Sequence, residues 1–341
     1  MAPVEPLPRV LVVDAHRPDA RVVSEAAAAL REGRLVALPT ETVYGLAARA
    51  LDPSAVARIF AAKGRPVHHP LIVHVLDEEG ARSLAASWPP GASALARAFW
   101  PGPLTLVVER AAHLDAAVAG GGDSIALRAP SHAVARAVIA ALGEPVAAPS
   151  ANRYQGLSPT TAAHVVKELG ARVDLVLDAG ACEAGIESTV VDVRGARARV
   201  LRPGALSVAA LRGVVPELDA EVTAVGSCAP RASPGMGSRH YAPRARLVLA
   251  PSLDAAWARA AELTADGGTT GLVVREALGT TGASVVVRVL PADPDGYAHA
   301  LFGALHELDD AGVAAIVVHE VPAGEAWWAV ADRLHRAAQS D

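Results

Sequence analysis

Four short segments carry residues whose types and spacing suit chemistry on a small polar or phosphorylated molecule. Residues 39–46 read PTETVYGL and gather two hydroxyls (Thr40, Thr42), a carboxylate (Glu41) and a phenol (Tyr44) within five positions. Such a set orients a polar substrate; Thr40 or Thr42 also suits the cap of a helix beginning near Val43, and local sequence favours the cap. Residues 63–71, KGRPVHHPL, hold Lys63 and Arg65 on either side of Gly64. Gly64 suits the left-handed position just past a helix end, and Pro66 blocks continuation. Two cations on a rigid turn make a polyphosphate clamp. Equally, they offset a helix macrodipole by about 0.3–1 kcal/mol. Residues 148–161, APSANRYQGLSPTT, set Ser150 and Asn152 just beyond a strand. There Ser158 followed by Pro159 reads as an N-cap with proline at the first helical position, a helix start that suits phosphate. The fourth segment pairs IESTVVDV with LRPG, so that Ser188, Thr189 and Arg202 flank two short strands.

These segments need a scaffold, and the hydrophobic periodicity supplies one. Helical spacing recurs in Ala20–Leu30, Ser54–Ala62, Ala133–Leu142 and Ala162–Leu169. Short apolar runs at Leu35–Leu38, Leu71–Leu76, Leu104–Val108, Ile125–Arg128, Val146–Ala148, Leu175–Leu177 and Thr189–Val193 read as strands. The alternation predicts an α/β sheet carrying helices, and in open sheets of that kind ligands bind where strands give way to loops. From about Leu206 to Ala245 the pattern degrades into GSCAPRASPGMGSRHYAPRA, a linker by composition. Alternation then resumes, with strands at Leu247–Leu249, Leu272–Val274, Val285–Val289 and Ala315–Val318, and helices at Leu253–Leu263, Tyr297–Leu308 and Ala326–Ala338. A small, mostly parallel Rossmann-type domain fits that order, although no GxGxxG follows its first strand.

Composition narrows the chemistry further. The chain has 341 residues and a net charge of −5, enough for two domains and without the basic footprint of a nucleic-acid binder. Only Cys182 and Cys228 are available, and no Cys/His spacing reads as a zinc site. No apolar run reaches about 18 residues, and the N-terminus lacks the pattern of a signal peptide, so the sequence predicts a cytoplasmic protein without a membrane partner. GxxxxGK[ST], GxSxG and HExxH are all missing, which sets aside P-loop, α/β-hydrolase and zincin chemistry. Of the 31 basic residues only Lys63 and Lys167 are lysine, which gives Lys63 some weight as a compact point charge.

Taken in order, the segments resemble the threonylcarbamoyl-AMP synthase family in its long two-domain form. PTETVYGL, KGRP..HPLIVH, FWPGPLTLV, APSAN, SPT, ESTVVD, LRPG and SPGM..RHYAP follow in register from about residue 20 onward. The resemblance implies an α/β fold: a YrdC-like twisted mixed-sheet domain with a concave cavity at residues 18–207. A linker at 208–245 and a smaller Rossmann-like accessory domain at 246–341 would follow. It implies that L-threonine, bicarbonate or CO₂, and ATP yield threonylcarbamoyl-AMP and pyrophosphate, with Mg²⁺ on the nucleotide. The product would pass to a transferase that modifies tRNA, with no direct tRNA binding by this chain.

Residue by residue, Lys63 and Arg65 match the family's cationic pair at the phosphates, and Ser150 and Asn152 its Ser-x-Asn motif beside them. These four are the expected catalytic group. Thr42, His74, Arg128, Ser150 and Ser188 match positions that hold threonine. Lys63, Arg65, His69, Ser124, Asn152, Thr160, Arg202 and the linker's His240 match nucleotide positions. Arg239, His240 and Tyr241, stiffened by Pro234-Gly235 and Pro243, are expected to fold over the cavity mouth. Departures are His69 where the family often has Asn, Gly237-Ser238 in place of a usual Arg/Lys-Tyr pair, and GEAWWAVADRL in place of GLGLAVMNRL near the C-terminus. An RNA-binding module and a carbamoyl-phosphate-dependent transferase are the competing readings. The 4% aromatic content counts against the first, and the Thr42, Arg128 and Ser188 set against the second.

Overall fold

The computed structural model describes residues 7–220, 240–265, 268–276 and 284–339. The first unit is a ten-stranded mixed sheet built from β1 (Arg9–Val12), β2 (Val36–Leu38), β3 (Gly45–Arg49), β4 (Ile72–His74), β5 (Leu104–Glu109), β6 (Ser124–Arg128), β7 (Val146–Ala147), β8 (Leu175–Asp178), β9 (Thr189–Asp192) and β10 (Arg199–Arg202). Its order is β1-β8-β2-β3-β7-β4-β6-β5-β9-β10. Helices α1 (Ala20–Arg31), α2 (Pro53–Lys63), α3 (Glu78–Arg82), α4 (Pro90–Phe99), α5 (Ala133–Leu142), α6 (Ala162–Leu169) and α7 (Val208–Val214) complete it.

Local chemistry fixes the elements that matter for the site. Asp52 caps α2 by accepting from the Ser54 and Ala55 amides, Pro53 opens the helix, and Gly64 closes it at φ 63°. Lys63 therefore ends a helix, as its sequence context predicts. Two expectations are overturned. No helix starts near Val43: GLAAR pairs as β3 between β2 and β7, and Thr40 instead donates to the Val43 carbonyl to shape the turn. Ser158 caps nothing, because α6 starts at Ala162 with Thr161 as its cap. Helix α7 forms within the stretch 208–245 read as linker.

The main apolar core packs Leu46, Ile59, Leu71, Val73, Leu95, Leu104 and Leu127 on one side of the sheet. Across β4 the pattern inverts with period two: Val73 joins that core while Ile72 and His74 face the other side. On that face Val36, Leu38, Ala47 and Val146 pack under α1 and α5, and beside them a small cluster of Ile72, Val107, Ala126, Val190 and Leu201 leaves room for a recess.

The second unit has β11 (Arg246–Ala250), β12 (Thr270–Val274), β13 (Val285–Val289) and β14 (Ala315–His319), all parallel in the order β11-β14-β12-β13. Helices α8 (Leu253–Thr264), α9 (Pro294–Asp310) and α10 (Trp328–Ala338) cover it. Its core includes Leu157 and Ile186 of the first unit, so the two units share apolar packing. The His306 ring bonds the Ser158 carbonyl at 3.1 Å and stacks on His164 at 3.9 Å. Gly185, at φ 66°, lies against the backbone of His299, where a Cβ would stand 2.5 Å from the carbonyl oxygen. Gly185→Ala is therefore expected to destabilise the protein by about 1–3 kcal/mol through backbone strain and overpacking at this junction. A melting curve checks it, and an unshifted midpoint contradicts it.

Candidate active site

A recess on the open face of the first unit continues to solvent. Its wall combines Thr40 and Thr42 from the turn after β2, Arg65 from beyond α2, His74 from β4, Arg128 from β6 and Ser150 from beyond β7. Glu187 and Ser188 before β9, Arg202 from β10, and His240 and Tyr241 close the ring. Sheet register explains part of this convergence, since His74 and Arg128 are direct partners across the parallel β4/β6 pair. Main-chain bonds lace the loops together: Tyr44 N–H to the Pro159 carbonyl at 2.9 Å, Ala151 N–H to that of Tyr44 at 2.8 Å, and Leu46 N–H to that of Pro149 at 2.7 Å.

Arg128 is held at one side of the recess by three groups. Its guanidinium donates to Thr42 Oγ1 at 2.8 Å and to the Gly102 carbonyl at 3.3 Å, and pairs with Glu41 at 2.7 Å. Burial pushes the Glu41 carboxyl up, but Arg128 outweighs it and holds the group below the usual carboxylate range. Burial, reinforced by Arg128, pushes His74 down to about 3, so its ring is neutral. Ser188 shares a hydrogen bond with Thr105 at 2.8 Å, and its carbonyl accepts from Arg202 at 2.8 Å. A fixed guanidinium beside hydroxyls and a neutral imidazole can hold an amino acid by its carboxylate and its polar side chain. Nδ1 of His74 and Nδ1 of His240, both lining the recess, are buried without a hydrogen-bond partner among the described residues.

Lys63 sits differently from Arg65. Its ammonium is buried and donates to the carbonyls of Ser150 and Asn152 at 2.5 and 2.6 Å and to Asn152 Oδ1 at 3.2 Å. Burial, with Arg65 adding repulsion, pushes its pKa well down. The lysine thus clasps the APSAN loop while Arg65, which donates to the Pro70 carbonyl at 3.0 Å, lines the recess. Ser150 Oγ in turn bonds Asn152 Oδ1 at 2.6 Å. His69 is buried beside Tyr154, with ring centres 5.4 Å apart, and Tyr154 approaches His240 at 6.3 Å. Thr160 bonds His164 at 3.3 Å, and Ser124 opens β6, four residues before Arg128; Asn152, Thr160, Ser124, His69 and Lys63 stand outside the recess wall itself. Tyr44 turns away and donates to the Gly180 carbonyl at 2.8 Å. His240 packs on Tyr241 at 4.0 Å, whereas Pro234, Gly235, Gly237, Ser238 and Arg239 lie outside the described residues.

Sequence reasoning gave no role to the buried Glu187 or to Arg333, and it counted Glu41 among groups that orient a substrate rather than as the buried partner of Arg128. For Arg333 a signal existed: it shares the stripe Val330, Leu334, Ala337 on α10, where a cation at an apolar position needs a buried partner. Among the described residues no group of three or more His, Cys, Asp or Glu side chains could hold a metal ion, and no helix is long and apolar enough to cross a membrane.

The neutral buried histidines set a pH dependence. An unfolded histidine titrates near 6.5, and His74 and His306 titrate near 3 in the fold. Between those values the unfolded chain binds more protons, so their contribution is complete above about pH 6.5 and is lost as pH falls toward 3. Melting temperature is expected to drop across this window. His74→Asn should flatten the slope by up to about 1.4 kcal/mol per pH unit; an identical slope in wild type and variant contradicts the assignment.

Comparison with known proteins agrees in both units. A model of the Sua5, YciO and YrdC proteins, described as telomere recombination, matches residues 28–204, and one described as the threonylcarbamoyl-AMP synthase C-terminal domain matches residues 206–339. The threonylcarbamoyl-AMP synthase of Pyrococcus abyssi is 39% identical over 92% of each chain. That of Bacillus subtilis is 40% identical over 67% of this chain and 66% of its own. The crystal structure of P. abyssi Sua5 complexed with L-threonine superposes with a TM-score of 0.90 at 36% identity, over 96% of this chain and 97% of the other. E. coli YciO, at 21% identity and a TM-score of 0.54 over 60% of this chain and all of its own, shares the fold of the first unit. The two matched regions, in this order and on this scaffold, make the chain a member of the two-domain threonylcarbamoyl-AMP synthase family.

Proposed function

We propose that the protein is an L-threonylcarbamoyladenylate synthase, converting L-threonine, bicarbonate or CO₂, and ATP into threonylcarbamoyl-AMP and pyrophosphate for tRNA threonylcarbamoyladenosine synthesis. The observation that carries this reading is one recess combining an Arg128–Thr42–His74–Ser188 set with Arg65, Ser150, Arg202 and His240. The first set suits the carboxylate, amine and hydroxyl of threonine. The second, with Lys63 and Asn152 bonded in the loop of Ser150, suits a nucleotide and its phosphates, and the family's motif positions would add His69, Ser124 and Thr160. Residues 18–207 would carry the chemistry, residues 208–245 would link, and residues 246–341 would serve as accessory domain. A relative crystallised with L-threonine supports the amino-acid half of the reading.

The chemistry follows from these groups. The threonine amine adds to CO₂ and loses a proton, and a carbamate oxygen attacks the α-phosphorus in line while pyrophosphate leaves. No side chain becomes covalently attached, so positioning and charge neutralisation supply the acceleration. Arg65 and Arg202 would face the phosphates, while Lys63 would fix the Ser150–Asn152 loop that cradles them. Mg²⁺ would arrive with the ATP, bound mainly by phosphate oxygens. The enzyme class is therefore nucleotidyl transfer. A product that is the activated donor of a tRNA modification points to the cytoplasm and to a tRNA-modifying transferase as the next user.

Pyrophosphate release is expected only when ATP, L-threonine and bicarbonate are all supplied, with threonylcarbamoyl-AMP forming in step. Release at an undiminished rate without threonine refutes the reading. Lys63→Ala should lower turnover roughly ten- to 150-fold, the equivalent of a charge-assisted hydrogen bond of about 1.5–3 kcal/mol. A rate assay beside a melting curve checks it, since near-normal turnover with slight destabilisation would reduce Lys63 to a helix-end charge.

A further inference from the structure

Arg333 is the largest fully buried side chain among the described residues and belongs to the C-terminal domain, yet it reaches Glu187 and Pro203 in the first unit. Its Nε donates to Glu187 Oε2 at 2.7 Å and its Nη1 to the Pro203 carbonyl at 3.0 Å and to Asp332 at 2.7 Å. Its guanidinium lies 4.9 Å from the ring centre of Tyr241, a cation–π contact. Glu187 also accepts from Ser158 Oγ and immediately precedes Ser188. Glu187, Ser188, Arg202 and Tyr241 all line the recess.

A buried carboxylate in the wall of a recess for a carboxylate and a triphosphate works against binding, because like charges repel strongly where water is excluded. Arg202 bonds the main chain of Ser188 and meets the Tyr241 hydroxyl at 3.4 Å, and Arg333 bonds the Glu187 carboxylate directly. We propose that Arg333 is a positioning residue of the active site. Carried by the accessory domain, it cancels the charge of Glu187 and fixes the Glu187–Ser188 backbone, so that the recess takes anionic substrates when that domain is docked. Arg333 touches no substrate and acts through Glu187. The inference rests on the synthase reading above and gives the C-terminal domain a task within it.

The test uses the full chain and calorimetric titration with L-threonine and with ATP, plus melting curves, for wild type, Arg333→Met, Glu187→Gln and the double variant. Arg333→Met should weaken threonine binding by roughly tenfold or more, since Glu187 keeps its Ser158 hydrogen bond but loses the cation bonded to it. Adding Glu187→Gln should return threonine affinity to within about threefold of wild type, because the charge is gone. A merely structural ion pair predicts no such rescue: single and double variants would lose affinity alike as the melting point falls, and that outcome overturns the inference. Unchanged affinity in Arg333→Met also overturns it. Should Arg333→Met fail to fold, the double variant decides, and a tenfold loss there refutes the proposal. Wild type that binds neither ligand instead refutes the synthase reading, and the inference with it.

Discussion

Taking Lys63, Arg65, Arg128, Arg202 and Arg333 out of water costs several kcal/mol per ion before any partner is counted. All five are buried around the same recess. Two buried carboxylates answer them, Glu41 against Arg128 and Glu187 against Arg333. Oxygen dipoles carry the rest: carbonyls of Ser150 and Asn152 for Lys63, of Pro70 for Arg65, and of Ser188 for Arg202. The surrounding fold has to hold those carbonyls in place. It does so with the strand-edge loops laced between β2, β3 and β7 and with the apolar core beneath. The arrangement leaves positive charge in excess at the recess wall, preorganised for anions without reorganisation on binding.

That constraint also accounts for the way the two domains meet. Apolar packing of Leu157 and Ile186 into the C-terminal core supplies contact area, whereas Arg333, His306 and His299 give it direction through hydrogen bonds to Glu187, Ser158 and Glu183. Each of those acceptors lies within the SPT or ESTVVD segments or just before the latter. The accessory domain is thus fastened to the same loops that form the recess, and docking and site geometry share one set of contacts.

The sequence reveals the site's parts better than their connections. PTETVYGL, APSAN and LRPG stand out because small polar residues interrupt strand patterns, and Gly64 stands out because only a left-handed cap suits its place. After Gly45, GLAAR consists of good helix formers, so its pairing as β3 comes from tertiary context, which overrides propensity in a five-residue segment. The Ser158-Pro159 step imitates a helix start, but the serine hydroxyl is drawn to Glu187, and the helix begins after Thr161. Helix α7 spans seven residues, too short for a periodic signal. Glu187 and Arg333 are 146 positions apart, so neither local pattern nor spacing could pair them. Long-range charge pairing in a low-dielectric site is the information that local reading lacks.

Where the anions bind is read directly by a crystal structure of this chain with L-threonine and a non-hydrolysable ATP analogue. The expected result is the threonine carboxylate on Arg128 beside Thr42, the threonine side chain near Ser188, and the triphosphate against Arg65 and the loop that Lys63 clasps, with the Glu41 and Glu187 pairs intact. Threonine bound away from Arg128, or phosphates lying outside the recess, would contradict it.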